Sequence, residues 1–178
     1  MLLALTKRVL TEAKPKVVAK FVYNFGVKGV RSVELHKRRR RRGENFPPFL
    51  FISVISSCQL RCQGCWVDVA APAQKLSLDE LNNIVGDAKA HGNAYFGILG
   101  GEPFMHPELL DLFAAHPDCY FQVFTNGQLI TDEIAGKLAR LGNVTPLISV
   151  EGSEIVSDER RGRMQVLTKT LKGLETCL

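Results

Sequence analysis

Three closely spaced cysteines are the residues of this chain best suited to chemistry. Cys58, Cys62 and Cys65 follow one another with the spacing C-x3-C-x2-C. Three thiolates this close together can hold one metal ion or one face of a metal cluster, but they cannot complete a closed four-thiolate site. A three-ligand site with an open fourth position is expected where a metal takes part in chemistry rather than holding a fold together.

The elements that must position these cysteines alternate between strand and helix. The predicted strands are the apolar runs at residues 49–55, 94–99, 120–125 and 145–150. The predicted helices begin after Ser77, which forms a capping box with Glu80, at Pro107, after Thr131 and at Met164. Four consecutive strand–helix units predict an α/β fold, in which a parallel sheet is covered by helices with right-handed crossovers.

Unusual polar residues follow every predicted strand. The cysteines come after the first strand, Gly100-Gly101-Glu102-Pro103 after the second, Thr125-Asn126-Gly127 after the third, and Ser149 with Glu151 at the end of the fourth. In parallel α/β architectures the site lies at the carboxyl ends of the strands, in the loops that lead into the helices. The sequence therefore predicts one metal-centred site at this rim.

The cysteine spacing after a first strand resembles the signature of the radical S-adenosylmethionine (SAM) enzymes. The resemblance implies that Cys58, Cys62 and Cys65 bind three irons of a [4Fe–4S] cluster and that SAM chelates the fourth iron. It further implies an enzyme that cleaves SAM reductively to methionine and a 5′-deoxyadenosyl radical, which then acts on a substrate. Many members have an aromatic residue before the third cysteine, whereas this chain has Gly64.

The glycine-rich loop is similar to the GGEP motif of the same family. The resemblance implies that Gly100, Gly101, Glu102 and Pro103 contact the amino group of SAM, for which a carboxylate is a suitable partner. Glycines also let a ligand approach the backbone closely. A simple turn that ends the strand is the alternative interpretation.

The next two strand ends also resemble the family. Thr125, Asn126 and Ser149 are expected to supply hydroxyl or amide partners to the polar end of SAM. Asn-Gly is equally an ordinary turn pair, and a serine is common at a strand end.

An arginine is expected to complete the SAM site. Residues 158–162 look like a D-x-x-R segment found after the fourth strand in part of the family, where an arginine pairs with the SAM carboxylate. A guanidinium fork suits that task. Arg161 fits the register, Arg160 and Arg163 compete with it, and a solvated loop arginine is the alternative.

The resemblance covers roughly residues 48–178 and implies a partial parallel barrel, with about four units of a six-unit barrel. Residues 46–178 are interpreted as the core domain, incomplete at its carboxyl end, and residues 1–45 as a helical, basic extension. The chain of 178 residues is short for an α/β barrel, which needs roughly 200 residues or more. We therefore expect a chain that is not a complete catalyst.

Basic character is concentrated in one short run. Lys37 and the arginines through Arg42 supply six consecutive positive charges, and the rest of the chain is close to neutral. The run is interpreted either as a solvated linker or as a segment that rests on an anionic membrane surface. Nucleic acid is disfavoured as a partner because the run lacks interleaved aromatic residues.

Other classes of function remain open at this point. A zinc-binding structural domain would need a fourth ligand, such as His106 or Cys119, and would leave the glycine-rich loop unexplained. An inactive, truncated family member is a second alternative. The substrate is a peptide, a lipid or a small molecule, and the family resemblance implies an electron donor such as flavodoxin or ferredoxin.

Cysteine usage and hydropathy indicate the compartment. The five cysteines show no disulfide framework, and thiolates kept free for a cluster imply a reducing environment, so we expect a cytoplasmic protein. No apolar run reaches the length of a membrane span.

Overall fold

The computed structural model describes Thr11 and residues 15–178. The strands are β1 Leu50–Ser53, β2 Tyr95–Leu99, β3 Tyr120–Thr125 and β4 Val144–Ile148. The helices are α1 Pro15–Phe21, α2 Gly29–Arg41, α3 Leu78–Ala90, α4 Leu109–Ala115, α5 Asp132–Leu141, α6 Glu154–Arg161 and α7 Val166–Thr176. A π-helix, Val22–Lys28, joins α1 to α2, and a short 3₁₀ turn, Pro103–Met105, follows β2.

The four strands form one parallel sheet in the order β1-β2-β3-β4. Ile52 pairs with Ile98, and Phe124 pairs with Leu147, so neighbouring strands keep a common direction and their carboxyl ends lie along one edge. This arrangement confirms the predicted α/β fold with a partial parallel barrel. β4 is an edge strand of the sheet within the described residues.

The hydrophobic core lies between one face of the sheet and the helices that connect its strands. Phe96 and Phe121 are fully buried on the sheet side, where they meet Leu81 from α3 and Phe113 from α4. Each such side chain stabilises the fold by roughly 1.5–3 kcal/mol when it leaves water. This core fixes the strand ends that carry the polar loops.

The opposite face of the sheet is aromatic and partly open. The ring of Phe51 lies over Gly97 of the neighbouring strand, where an added Cβ would come within 2.1 Å of the ring, and it contacts Phe124 at a centroid distance of 5.8 Å. About half of the Phe51 side chain remains exposed. The face therefore retains accessible apolar surface beneath the rim.

The amino-terminal helices pack against the amino-terminal ends of the strands, whereas the cysteines lie beyond the carboxyl end of β1. Phe21 contacts Tyr120 and Phe25 contacts Tyr95 edge to face, with centroids 5.2 and 5.1 Å apart, at the residues where β3 and β2 begin. Lys20 Nζ donates to the Leu141 carbonyl at 2.7 Å, at the end of α5. The helical segment therefore closes the lower edge of the sheet. None of the helices in the described part of the chain is both long and apolar enough to cross a bilayer.

Several predicted boundaries differ from the structure: β1 spans Leu50–Ser53 rather than 49–55, β4 spans Val144–Ile148 rather than 145–150, and α7 begins at Val166 rather than at Met164. We expected α4 to begin at Pro107, but it begins at Leu109, because His106 Nδ1 accepts the Glu108 N–H at 3.2 Å and holds a separate turn ahead of the helix. The basic run was interpreted either as a solvated linker or as a segment on a membrane surface, and in the structure Lys37 through Arg41 form the end of helix α2. Cations there are favoured by the helix dipole.

Helix α6 was not predicted from the sequence. The segment after β4 was interpreted as a loop, but Glu154–Arg161 is helical, with Ser153 preceding it and Gly162 ending it in the left-handed conformation (φ 65°). Most of its residues are polar, and Ile155 is 79% exposed, so no buried apolar stripe marks the helix. The helix depends on contacts made by other parts of the chain, which local periodicity does not reveal.

Candidate functional site

The glycine-rich loop presses directly against the chain that leads into the first cysteine. The Gly101 N–H donates to the Ile55 carbonyl at 2.7 Å, and the Glu102 N–H donates to the Ser57 carbonyl at 2.8 Å. A Cβ on Gly101 would lie 2.2 Å from the Ser57 oxygen, and one on Gly100 would lie 2.5 Å from the Ile55 oxygen. Both positions therefore require glycine because the backbone of the second loop packs directly on the backbone of the first loop.

Glu102 is the buried carboxylate at the centre of the rim. Its side chain has no exposed surface and accepts hydrogen bonds from Thr125 Oγ1 at 2.7 Å, from the Asn126 N–H at 2.9 Å and from the Phe104 N–H at 3.1 Å. Burial raises the pKa of this carboxyl, while these three donors and the charge of Arg161 act in the opposite direction. A carboxylate has about four acceptor positions, so one remains for a further donor.

The third loop links Glu102 to the cysteines. Asn126 accepts a hydrogen bond from Gln59 Nε2 at 3.0 Å, and its own Nδ2 lies 4.0 Å from Cys58 Sγ. Thr125 Oγ1 also accepts the Gly127 N–H at 3.0 Å, which fixes the turn. The predicted residues Thr125 and Asn126 are thus brought together with Glu102 and Cys58.

Arg161 lies buried at the fourth strand end. Its Nη2 donates to the Ser149 carbonyl at 3.0 Å and contacts Glu151 Oε1 at 3.4 Å, and its Nε is buried with no hydrogen-bond partner among the described residues. Only 4% of Arg161 is exposed, whereas Arg160 and Arg163 are exposed. The structure therefore separates Arg161 from its two competitors. Ser149 is exposed and meets Arg161 through its backbone.

The three cysteines lie on one loop as free thiols. Cys58 and Cys62 are partly buried, Cys65 is exposed, and the Leu60 N–H lies 3.4 Å from Cys58 Sγ. Burial raises the pKa of Cys58 and that of Cys62, and the nearby charge of Arg161 opposes the shift at Cys62. Arg161 therefore acts electrostatically on the Cys62 thiol.

The donor set fits a cluster with one open iron better than a closed zinc site. Cys58, Cys62 and Cys65 form no disulfide, and in the described residues no group of three or more His, Cys, Asp or Glu side chains is arranged to hold a metal ion. The chemistry of the set nevertheless suits iron and sulfide, since three unpaired thiols share a loop that is open to solvent on one side.

The two residues named as a fourth zinc ligand are not available. His106 is buried, and both of its ring nitrogens are engaged, with Nε2 donating to the Leu76 carbonyl at 2.7 Å. Cys119 is fully buried next to the start of β3, at the opposite edge of the sheet, and burial raises its pKa to about 12. A four-ligand zinc site on this loop therefore has no fourth ligand of either kind.

Two contributors to the site were missed by sequence reasoning. Gln59 lies between the first two cysteines and bonds to Asn126, and α6 receives the cysteine loop at its carboxyl end through Arg160 and Arg161 carbonyls. No sequence signal marks Gln59. The signal for α6 was the pairing of Ser153 with Gly162 around a short polar stretch.

Comparisons with known proteins agree with this geometry. The family model described as the Radical SAM superfamily matches residues 52–178. The AdoMet-dependent heme synthase of Methanosarcina barkeri is 28% identical over 136 residues, which are 74% of this chain and 39% of that protein. The mycofactocin maturase MftC of Mycolicibacterium smegmatis is 32% identical over 127 residues, which are 68% of this chain and 32% of that protein.

Solved structures share the fold. SuiB of Streptococcus suis, in structures bound to precursor peptide SuiA and to S-adenosylmethionine, superposes with a TM-score of 0.66 at 23% identity. The overlap covers 81% of this chain and 34% or 35% of SuiB. The chain thus spans between about a third and two fifths of the length of these relatives. Because the family match extends over well over half of its residues, the chain belongs to the radical SAM superfamily.

Proposed function

We propose that this chain forms the cluster-binding part of an enzyme that binds a [4Fe–4S] cluster through Cys58, Cys62 and Cys65 and cleaves SAM at that cluster. The observation that carries the proposal is the convergence of three free thiols with the buried Glu102 network and Arg161 at one rim. When bound, the cluster supplies one electron to the sulfonium of SAM, which yields methionine and a 5′-deoxyadenosyl radical.

Glu102 is the proposed partner of the SAM amino group. Its carboxylate is held by Thr125 and Asn126 and keeps one acceptor position free. The SAM ammonium at that position would pair with the buried carboxylate and offset the hydration that the carboxylate loses on burial. Such a charge-assisted hydrogen bond is strong in a site that excludes water. Gly100, Gly101 and Pro103 fix the backbone from which Glu102 projects.

Arg161 is the proposed partner of the SAM carboxylate. Its Nε is buried without a partner among the described residues, and a buried donor left unpaired is costly. A carboxylate would satisfy it, while Glu151 and the Ser149 carbonyl hold the guanidinium in place through Nη2. Ser149 itself, being exposed, is proposed as a further polar contact.

The substrate class to test first is a peptide. SuiB, which shares this fold, has been solved with a precursor peptide. Lipids and small molecules remain the competing classes. The half-exposed ring of Phe51, below the rim on the open face of the sheet, offers the apolar contact that a substrate side chain would use. Flavodoxin or ferredoxin is the proposed electron donor, in a cytoplasmic enzyme whose thiols stay reduced.

The basic end of α2 is proposed to rest on an anionic membrane surface. Five of the six cations from Lys37 to Arg42 are exposed, whereas Arg39 is anchored by its Nη1 to the His91 carbonyl at 2.8 Å. This end of the molecule lies at the edge of the sheet opposite the cysteines. Peripheral attachment there would leave the rim free to receive its substrate.

Salt dependence tests the membrane proposal. Co-sedimentation with vesicles rich in anionic lipid should fall as salt rises, because exposed charges are screened over about 8–10 Å at physiological ionic strength. Replacing Arg38, Arg40, Arg41 and Arg42 by Gln should abolish it, while Lys137→Gln, on α5, should not. Equal binding to neutral vesicles would contradict an electrostatic attachment.

Anaerobic reconstitution tests the enzymatic proposal and separates it from its alternatives. A brown protein that contains iron and acid-labile sulfide and, once reduced, forms methionine and 5′-deoxyadenosine from SAM supports it. Colourless protein with stoichiometric zinc would support a structural zinc domain instead. A loaded cluster that never cleaves SAM would indicate an inactive family member.

A further inference from the structure

The cysteine loop is docked onto the carboxyl end of α6. The Arg61 N–H donates to the Arg161 carbonyl at 3.0 Å, and the Gln63 N–H donates to the Arg160 carbonyl at 2.7 Å. The Gln63 side chain adds a third bond, from Nε2 to the Glu159 carbonyl at 3.2 Å. These three bonds flank Cys62 on both sides and fix the segment of loop that carries it.

The contact satisfies both partners. The last carbonyls of a helix have no partner within the helix, and here the amides of the cysteine loop supply one. Gly162 makes the approach feasible: it adopts φ 65°, and a Cβ there would lie 3.0 Å from the Arg61 oxygen and 3.2 Å from the Arg61 Cβ. A side chain at this position would therefore be strained by the positive φ and would push the Arg61 backbone away from the helix end.

Helix α6 is itself tied to the rest of the rim. Asp158 accepts the Gln165 and Val166 N–H groups at 2.9 and 2.8 Å and so caps the start of α7. Thr170 Oγ1 on α7 donates to the Asn126 carbonyl at 3.0 Å. Gln59 of the cysteine loop donates to the side chain of the same Asn126. The contacts therefore run from the cysteine loop to α6, from α6 to α7, from α7 to the third loop, and from there back to the cysteine loop.

We propose that α6 is a clasp that holds the cysteine loop ready for its cluster, with Gly162 and Gln63 as positioning residues that touch neither iron nor SAM. The clasp rests on the proposed cluster for its purpose, but its contacts are made by the chain alone. A loop held in place loses less conformational freedom when three thiolates must converge on one cluster. Cluster retention should therefore depend on residues of α6 that lie outside the cysteine motif.

Gly162→Ala in the reconstituted chain is the first test. The matched control is Gly142→Ala, since Gly142 ends α5 in the same left-handed conformation (φ 66°) and its nearest neighbours are Lys and Val side chains at 3.8 Å, remote from the rim. Gly162→Ala should shorten the half-life of the cluster against a chelator about tenfold, whereas Gly142→Ala should match the wild type. Equal half-lives in the two variants would overturn the clasp.

Gln63, whose side chain is exposed, provides a second test. Gln63→Glu replaces the amide donor by a carboxylate that faces helix carbonyls and the negative end of the helix dipole, so it should accelerate cluster loss. Gln63→Lys keeps a donor and should restore retention. The visible absorption of the cluster reports both variants without any turnover. Indistinguishable Glu and Lys variants would contradict the positioning role.

Hydrogen exchange separates the clasp from the proposed function. In the metal-free chain the Arg61 and Gln63 amides should be protected, and Gly162→Ala should expose them while Gly142→Ala does not. If the Arg61 and Gln63 amides are unprotected in the metal-free wild type, the clasp is overturned, even if the same protein takes up iron on reconstitution. Protected amides in a chain that takes up no iron would overturn the cluster assignment and leave the docking of the loop correct.

Discussion

At the scale of single residues, Glu102 sets the electrostatics of the rim. It is fully buried, it accepts three hydrogen bonds, and burial raises its pKa above the ordinary carboxyl value. The carboxyl therefore holds its proton to a higher pH in the folded chain than in the unfolded one. Between the two pKa values the folded state binds more protons, so the contribution of this group to stability falls as pH rises.

The same shift predicts a pH dependence of SAM binding. Only ionised Glu102 attracts an ammonium, so SAM affinity should rise with pH through the raised pKa of Glu102 and then level off. Glu102→Gln keeps the acceptor oxygen and loses the charge, and it should bind SAM at least tenfold more weakly with no such rise. Titration calorimetry at several pH values measures both. A wild-type profile that is flat across the acid range would contradict the assignment.

At the scale of elements, the backbone of the third rim loop packs directly against a neighbouring helix. Helix α7 presses on the third loop at Gly173, where an added Cβ would lie 1.9 Å from the Gly127 oxygen. Gly127 itself adopts φ 79°. The loop that follows β3 and helix α7 are thus in direct backbone contact next to Asn126.

Gly173→Ala should therefore destabilise the chain and loosen the third loop. Overpacking of this kind costs typically 1–3 kcal/mol. Gly86→Ala is the control, because Gly86 lies within α3 with nothing within 4 Å of the new Cβ, and there alanine should stabilise by roughly 0.5–1 kcal/mol. Urea unfolding of both variants gives the two values. A Gly173→Ala variant as stable as Gly86→Ala would show that the backbone contact is not present in solution.

Elements with strong local signals were predicted correctly. β3 has the expected bounds, Ser77 and Glu80 form the expected capping box, and α5 ends at Gly142 in the left-handed conformation. α6 was missed because its residues are polar and its last carbonyls are capped by a loop about a hundred residues earlier in the chain. Such a partner is invisible to any local pattern.

The site shows the same division. The cysteines, the glycine-rich loop and Arg161 could be singled out as candidates from residue types and spacing, and the structure brings all three to one rim. Gln59 could not, since its role arises only when the third loop folds next to it. The steric demand on Gly100 and Gly101 likewise becomes evident only when the approaching backbone of Ile55 and Ser57 is seen.

At the scale of the whole molecule, the described sheet has four strands and an exposed flank. On β4, Leu147 is 43% exposed, and Val150 just beyond it is 53% exposed, although the strand is apolar enough for the interior of a sheet. Unpaired apolar edges promote association between chains. We therefore predict that this flank takes part in association between chains.

Sedimentation of the present chain tests that prediction. With the β4 flank exposed, its 178 residues should self-associate at micromolar concentration. Sedimentation at several protein concentrations measures this association. A chain that stays monomeric throughout would show the prediction to be wrong.

The most direct measurement of the central claim is the iron and sulfide content of anaerobically reconstituted cysteine variants. Replacing Cys58, Cys62 or Cys65 by alanine should abolish bound iron, because two thiolates cannot hold the cluster. Cys177→Ala, an exposed cysteine at the end of the chain, should retain the wild-type content. Full retention of iron and sulfide in Cys62→Ala would contradict the account.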